Sequence, residues 1–433
     1  MSSLTNIQTL RKVLSKLNAE HPAGRGDREN QTQYQERDGN LLRRLQLEVE
    51  SRPGAARVLI TGQIGVGKSS ELWRFFRETI REKGRTVFVV YCDLEKEEHP
   101  ERCGVTGVLL TIFRDCWSAT RRLVEHVHHP TMQRKFQRLQ EEILERLIDW
   151  LKGERTDDGD KLFFNFGGMR FPVRLDDTTG AIALILGKAA QHEAVSQHSE
   201  RFGLAPDSLI NLLNKLLLWL ADFHNGQPPI LIVDHVDKIR DEKSAQEVLI
   251  DVVPQWKRIK ASIIMTAPYE YTLGSMRHSV ESQWGNPLMV YPIEIPELDS
   301  DTAPTLYDRI VESCGLGTLI HKESLILLAH YSGGIPRTFV HFLIEACKIA
   351  HLAQHEKIEM TDAQAVVHRA ESAYQDYGQE ELELLDSIDR NKTGLRAAAT
   401  LLRSPIGLLV VEPHDGEQML RVHPLANRLL ERH

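Results

Sequence analysis

The chain has 433 residues, 41% of them hydrophobic and 26% charged, with a net charge of −8. This is the composition of an ordinary globular protein, and it excludes a whole-chain basic footprint for nucleic acid while leaving a local basic patch open. No apolar run approaches the ~18–20 residues of a membrane span; Ala181–Gly187 is too short, and Leu209–Leu220 is broken by Asn211, Asn214 and Lys215. In chain order, Leu4–Leu17 has helical spacing, 20–39 is a polar loop, and Leu41–Val49 is helical again. Arg57–Thr61 is a short apolar run that enters a glycine-rich turn, followed by a helix over Ser70–Lys83. Further runs, each ending on a polar residue, are Thr86–Cys92 before Asp93, Ile230–Val233 before Asp234, and Ser262–Met265 before Thr266; a fifth, Leu288–Ile295, closes the series. Continuous runs of this kind suit parallel strands buried on both faces. Ala245–Ile259 and Tyr271–Gln283 supply helices between them. The expected fold class is therefore α/β, a parallel sheet covered by helices on both sides.

Between Leu94 and Pro229 lies a long insertion in which Val105–Leu151 and Leu209–His224 read as helices. Leu162–Phe166 and Met169–Leu175 flank Gly167-Gly168 as a hairpin, with Pro172 on an edge strand. Phe163, Phe164, Phe166 and Phe171 interleave with Arg170 and Arg174; one buried and one solvated face explains this better than base stacking. After Pro296 come helices at Thr305–Cys314, Lys322–Tyr331, Arg337–Ala353 and Thr361–Tyr374. A helix over Gly394–Leu402, a hairpin of Gly407–Val411 with Gln418–Val422, and a closing helix at Pro424–Arg432 resemble a winged-helix module. Residues 390–433 hold seven Lys/Arg against four Asp/Glu, but Glu412, Asp415 and Glu417 at the wing tip oppose phosphate contact. The expected division is 1–40 linker, 41–296 nucleotide domain with the insertion at 95–228, 297–375 helical lid, and 376–433 winged-helix-like end. The five cysteines form no C-x-x-C pair, which argues against zinc and for a reducing compartment. With no apolar run in Met1–Leu14 to serve as a signal, a cytoplasmic location is expected.

The chemistry concentrates in Gly62, Gln63, Ile64, Gly65, Val66, Gly67, Lys68 and Ser69, which match G-x-x-x-x-G-K-[ST] in full between a strand and a helix that opens at Ser70. Backbone N–H groups of such a loop surround phosphate oxygens, and the helix N-terminus adds a favourable dipole. Lys68 reaches the β- and γ-phosphates, and the Ser69 hydroxyl ligates Mg²⁺. Asp234, at the end of an apolar strand, is the second metal residue. Asp237 is a candidate for polarising the attacking water, with a helix cap as the alternative. His235 stands where many related ATPases carry a catalytic glutamate, which points to slow hydrolysis. The expected cofactors are ATP and Mg²⁺.

These motifs resemble AAA+/STAND-type P-loop ATPases, and the resemblance extends over roughly 41–370 apart from the insertion. It implies a sensor role for Thr266, an arginine finger at Arg277, and a lid entered at Pro296–Asp299. Ser332-Gly-Gly-Ile-Pro336-Arg337 resembles the lid segment of origin-recognition and transposition-regulator ATPases, with Pro336 and Arg337 at the nucleotide. The Asp234-x-x-Asp237 form leans toward STAND signalling ATPases. The resemblance implies an ATP-driven switch that self-associates and acts on a separate effector chain, plausible in prokaryotic signalling or defence. The alternatives are a DNA-bound regulator of replication or transposition and a nucleotide-stabilised scaffold. The insertion is the expected partner surface.

Overall fold

The computed structural model describes residues 41–431 apart from 85, 97–99, 127–128, 152–153, 156–160, 167–168, 175–176, 196–205, 273, 302–304, 373–382, 384, 389–408 and 415–416. The helices expected over Leu4–Leu17 and Gly394–Leu402 lie outside the described residues.

At the centre is a five-stranded sheet built from β1 (Arg57–Thr61), β2 (Val89–Asp93), β6 (Ile230–Asp234), β7 (Ser262–Ala267) and β8 (Leu288–Met289). Its order is β2-β6-β7-β1-β8, with every pairing parallel. Side chains alternate between the two faces of a strand, and here both faces are buried. Val58, Ile60, Val89, Ile232 and Ile264 join a core with α1 (Leu41–Ser51) and α2 (Lys68–Lys83). Leu59, Val90, Cys92, Val233, Ile263 and Met265 face the other way.

The insertion covers that second face. Its helices α3 (Val105–His126), α4 (Pro130–Leu151), α5 (Thr178–Val195) and α6 (Pro206–Phe223) share one apolar core with the sheet. The helical stretch expected over Val105–Leu151 divides into two helices, and Pro130 opens the second, where its fixed φ and missing N–H are tolerated. Helix α5 was not visible in the sequence. Ala181, Ile182, Ile185, Leu186, Ala189 and Ala190 form its buried face, but Ala183, Leu184 and Gly187 on the other side are apolar too, so the sequence shows little one-sided periodicity. β3 (Glu154–Arg155), β4 (Lys161–Phe166) and β5 (Met169–Arg174) form a small antiparallel sheet with β5, and its Pro172, at an edge. Leu162, Phe164 and Val173 point into the core, whereas Arg170 is exposed and lies over the Phe163 ring at 4.2 Å.

Two further expectations change. The helix expected over Ala245–Ile259 is α7 (Glu242–Gln246), a wide turn over Glu247–Asp251, and α8 (Val253–Trp256). Pro254 lacks the N–H that a continuous ladder needs. The fifth strand stops at Met289 rather than Ile295, because Thr61, its partner on β1, is the last residue of that strand. Beyond it Ile293 N–H donates instead to Gly334 C=O at 2.7 Å, tying the sheet exit to the next helical layer.

That layer comprises α10 (Thr305–Ser313), α11 (Lys322–Tyr331), α12 (Pro336–Leu352) and α13 (Met360–Ser372), after α9 (Gly274–Trp284) of the sheet domain. It has its own core around Tyr307, Phe339, Leu343 and Val367. The hairpin β9 (Leu409–His414) and β10 (Glu417–Val422) and helix α14 (Pro424–Leu430) join that core through Leu409, Val422 and Leu425. The side chains of the wing tip lie outside the described residues. The result is an α/β P-loop fold with a helical lid. No helix among the described residues is long and apolar enough to cross a membrane.

Candidate functional site

The parallel register brings the strand ends together. Asp93 of β2 is paired with Asp234 of β6, and Thr266 of β7 with Ile60, two residues before Gly62. Ligand sites in open α/β sheets lie outside the carboxyl ends of the strands, and every polar residue singled out on these strands is there.

The loop from Gly62 to Gly67 connects β1 to α2. Gly65 has φ 80°, in the left-handed region, and a Cβ there would lie 3.0 Å from Arg337 Cβ. The glycine thus lets the lid approach the loop. Arg337 N–H donates to Gly65 C=O at 3.3 Å, and Pro336 opens α12. Among the described residues the Arg337 guanidinium has no hydrogen-bond or ion-pair partner, so an unpaired cation stands beside a loop suited to anions. Val66 is fully buried, whereas Ile64 at the loop tip is 46% exposed. Ser70 is half-buried in the first turn of α2.

Lys68 is buried and turned inward. Its Nζ donates to Gly62 C=O at 2.7 Å and Gln63 C=O at 2.9 Å, and pairs with Asp237 Oδ2 at 2.8 Å. Burial pushes the Asp237 carboxyl up, but Lys68 overcomes this and holds it below the usual carboxylate range. Asp237 is thus the counter-ion of the loop lysine in this state. Thr266 Oγ1 accepts from Val236 N–H at 3.0 Å, which buttresses the turn after β6.

Asp234 is fully buried. It accepts from the Tyr91 hydroxyl and, through Oδ1, from His235 N–H at 2.8 Å. Burial raises its carboxyl pKa despite the nearby His235 charge. His235 follows with φ 66°, a left-handed conformation uncommon for a residue with a side chain. That turn swings its ring back toward β2. Nδ1 meets Asp93 Oδ1 at 2.6 Å, and Nε2 faces Ser69 Oγ at 3.3 Å, Glu95 Oε2 at 3.5 Å and Asp234 Oδ2 at 3.7 Å. Burial works against the charged ring, but the Asp93 hydrogen bond and the Asp234 carboxylate raise its pKa above the ordinary histidine value. Ser69 Oγ and the Asp234 carboxylate offer oxygen donors at one spot, which fits Mg²⁺.

Arg277 is elsewhere. It is 55% exposed on α9, paired with Glu281 at 2.6 Å in a recess with Thr272 and Met289. A separate cleft of about 450 Å³ lies at the opposite ends of β6 and β7, lined by Val49, Phe75 and Pro228, away from the phosphate loop.

Sequence reasoning missed Tyr91 and Glu95 and gave Asp93 no role. The available signal was the acid ending the second apolar run, as Asp234 ends the third. It also missed how the C-terminal hairpin meets this site. The Gln63 side-chain amide donates to Leu409 C=O, and Leu420 packs by Tyr269, Met289 and Tyr291. The lid turn touches the same module, since a Cβ on Gly333 (φ 62°) would fall 2.3 Å from the His423 ring.

The strand order, the glycine-rich loop and the lid contact are those of an α/β P-loop NTPase fold with a helical lid. No protein-family model matches the chain, and no curated protein does. Similar solved structures include the Aeropyrum pernix ORC2 protein in ADPNP–ADP complexes, at 13% identity and TM-score 0.44, covering 97% of this chain and 96% of that one. Another is Cdc6p from Pyrobaculum aerophilum, at 11% identity and TM-score 0.42, covering 96% and 98%. The Thermotoga maritima RuvB Holliday junction branch migration motor matches at 12% identity and TM-score 0.37, over 90% and 94%. Likeness at this level carries nothing about activity.

Proposed function

We propose that this protein binds ATP with Mg²⁺ between sheet and lid, hydrolyses it slowly, and uses the nucleotide state to control its assembly with itself and with a separate partner chain. The observation that carries this reading is the convergence on one loop of the Lys68 ammonium, the Arg337 backbone and the Gln63–Leu409 contact.

The chain's own residues divide the work. The loop N–H groups and the N-terminus of α2 hold phosphate oxygens. Lys68 exchanges Asp237 for the β- and γ-phosphates. Ser69 and Asp234 would hold Mg²⁺, which would supply neutralisation of phosphate charge. Arg337 draws the lid toward the same anion, and Gln63 couples the loop to the hairpin. Lid and hairpin share a core, so differential contacts with ATP and ADP shift both together. The buried His235–Asp93 pair takes the place of a free glutamate, in keeping with slow turnover.

Size-exclusion chromatography with light scattering, on wild type and Lys68→Ala with and without ATP·Mg²⁺, tests this, with phosphate release read from the same samples. ATP should drive wild type alone into a larger particle. If wild type neither assembles nor releases phosphate above the variant, the switch reading falls and a nucleotide-stabilised scaffold replaces it.

A further inference from the structure

The environment of His235 contains more than Mg²⁺ requires. With Nδ1–H donating to Asp93 Oδ1 at 2.6 Å, the Nε2 lone pair is left facing outward. Three oxygens surround it: Ser69 Oγ at 3.3 Å, Glu95 Oε2 at 3.5 Å and Asp234 Oδ2 at 3.7 Å. Neighbouring ligands on a small divalent ion at metal–ligand distances near 2.1 Å are about 3.0–3.5 Å apart, so Nε2 lies within or just beyond that separation from each of the three oxygens. Asp234 Oδ1 is held by His235 N–H, and Oδ2 also accepts from the Tyr91 hydroxyl, which a bound cation would share. Glu95 Oε1 is bound by the Lys238 ammonium, which leaves Oε2 toward the site. Asp93 sits behind the imidazole as the carboxylate that commonly orients a metal-bound histidine. Asp93, Glu95 and His235 also form a three-residue group whose ligand atoms all lie within 4.8 Å of one another.

We propose that the divalent cation of this site is bound through His235 Nε2 and Glu95 as well as Ser69 and Asp234, so that the protein selects a first-row transition ion such as Mn²⁺ over Mg²⁺. The chemical reason is ligand type. Mg²⁺ favours an all-oxygen, largely hydrated sphere, whereas imidazole nitrogen favours transition ions. The inference rests on the nucleotide-site reading only for Ser69 and Asp234. His235, Glu95 and Asp93 form their arrangement without it.

Pulsed electron paramagnetic resonance of Mn²⁺ on the full chain, with and without ATP, tests the proposal. The expected result is a directly bound nitrogen that switches from ¹⁴N to ¹⁵N coupling when the protein is labelled with ¹⁵N-histidine. His235→Ala should abolish that coupling and weaken Mn²⁺ binding, by free-ion titration, on the order of 10- to 100-fold, with Asp93→Asn weakening it about 10-fold. Glu95→Gln, at a half-exposed position, should weaken Mn²⁺ several-fold while the nitrogen coupling remains. Labelled wild type needs no variant, so misfolding of His235→Ala does not leave the question open. Phosphorus coupling from ATP without nitrogen coupling would overturn the histidine ligand and leave the ATP site standing. Nitrogen coupling without phosphorus coupling would support the metal site and remove the ATP reading. Equal affinity for Mn²⁺ and Mg²⁺ would overturn the selectivity.

Discussion

Two buried histidines, one at the strand-end site and one at the junction of lid and hairpin, are pushed in opposite directions by their surroundings. His235, at the end of β6, is ringed by Asp93, Asp234 and Asp237, and its pKa rises although burial opposes the charge. At His423, at the junction of lid and hairpin, burial lowers the pKa to about 4, despite a backbone hydrogen bond at Ser332, and nearby His330 lowers it further. The His423 Nδ1 accepts from Leu425 N–H at 3.2 Å, as a neutral ring can. One region is built to handle charge and the other to exclude it. In the function proposed above, a nucleotide, which brings charge, acts directly on the strand-end site. It reaches the junction only through packing and through the Gln63 and Arg337 contacts.

The comparison breaks most easily at Lys68. Removing it leaves Asp237 buried without its partner, which costs on the order of 3–5 kcal/mol. Lys68→Ala should lower the melting temperature sharply, and adding Asp237→Asn should restore part of the loss. A double-mutant cycle by urea unfolding measures this coupling, and additive effects would show that the pair is not a unit.

The junction should respond to pH with a definite sign. The unfolded His423 ring titrates near 6.5 and the folded one near 4. Between those values the unfolded chain binds the proton and the folded one does not, so stability falls as pH drops from 6.5 to 4, by about 3 kcal/mol. His423→Gln should flatten that slope in urea melts. His235 acts in the opposite sense. Its raised folded value means that its stabilisation is full below pH 6.5 and is lost as pH climbs through the folded pKa, so His235→Gln removes stability at the acid end.

Gly333→Ala tests whether the junction is as tight as it looks. The new methyl would meet the His423 ring at 2.3 Å in a left-handed backbone, and a loss of about 2 kcal/mol is expected, with faster proteolysis of the hairpin. Arg337→Ala should leave the melting temperature unchanged and weaken ATP about 10-fold in a fluorescence titration, or about 1.4 kcal/mol. A matching loss of stability without nucleotide would make Arg337 a packing residue. The smallest effect is at Arg277, whose exposed pair with Glu281 is worth about 0–1 kcal/mol. Arg277→Ala should leave stability alone; a fall in phosphate release confined to the assembled state would identify it as a finger acting on a neighbouring copy.

Much of the sheet could be read from the chain because it is locally encoded. Ile230–Val233 and Ser262–Met265 are unbroken apolar runs, and both are central strands. The α11 boundaries, Lys322–Tyr331, agree because Lys322-Glu323 open an apolar run, Leu325–Ala329, that Ser332-Gly333 close. Helix α5 was hidden because its exposed side, with Leu184, is as apolar as its buried one, and the last strand was overextended because its length depends on where β1 stops. The Gly62–Ser69 loop was legible for the same local reason: glycine spacing and one lysine specify a backbone turn.

Sequence alone determined the α/β character, the glycine-rich turn between β1 and α2 and the acid that ends β6, since each depends on residues within a few positions of one another. Only the tertiary structure decided that Asp93 and Glu95 flank His235, that Lys68 pairs with Asp237, and that Gly333 and Gln63 touch the C-terminal hairpin. Those contacts join residues as many as 346 positions apart (Gln63 to Leu409), and 142 for His235 to Asp93. Such distances are closed by strand order and by the shared core of lid and hairpin, and no local pattern records either.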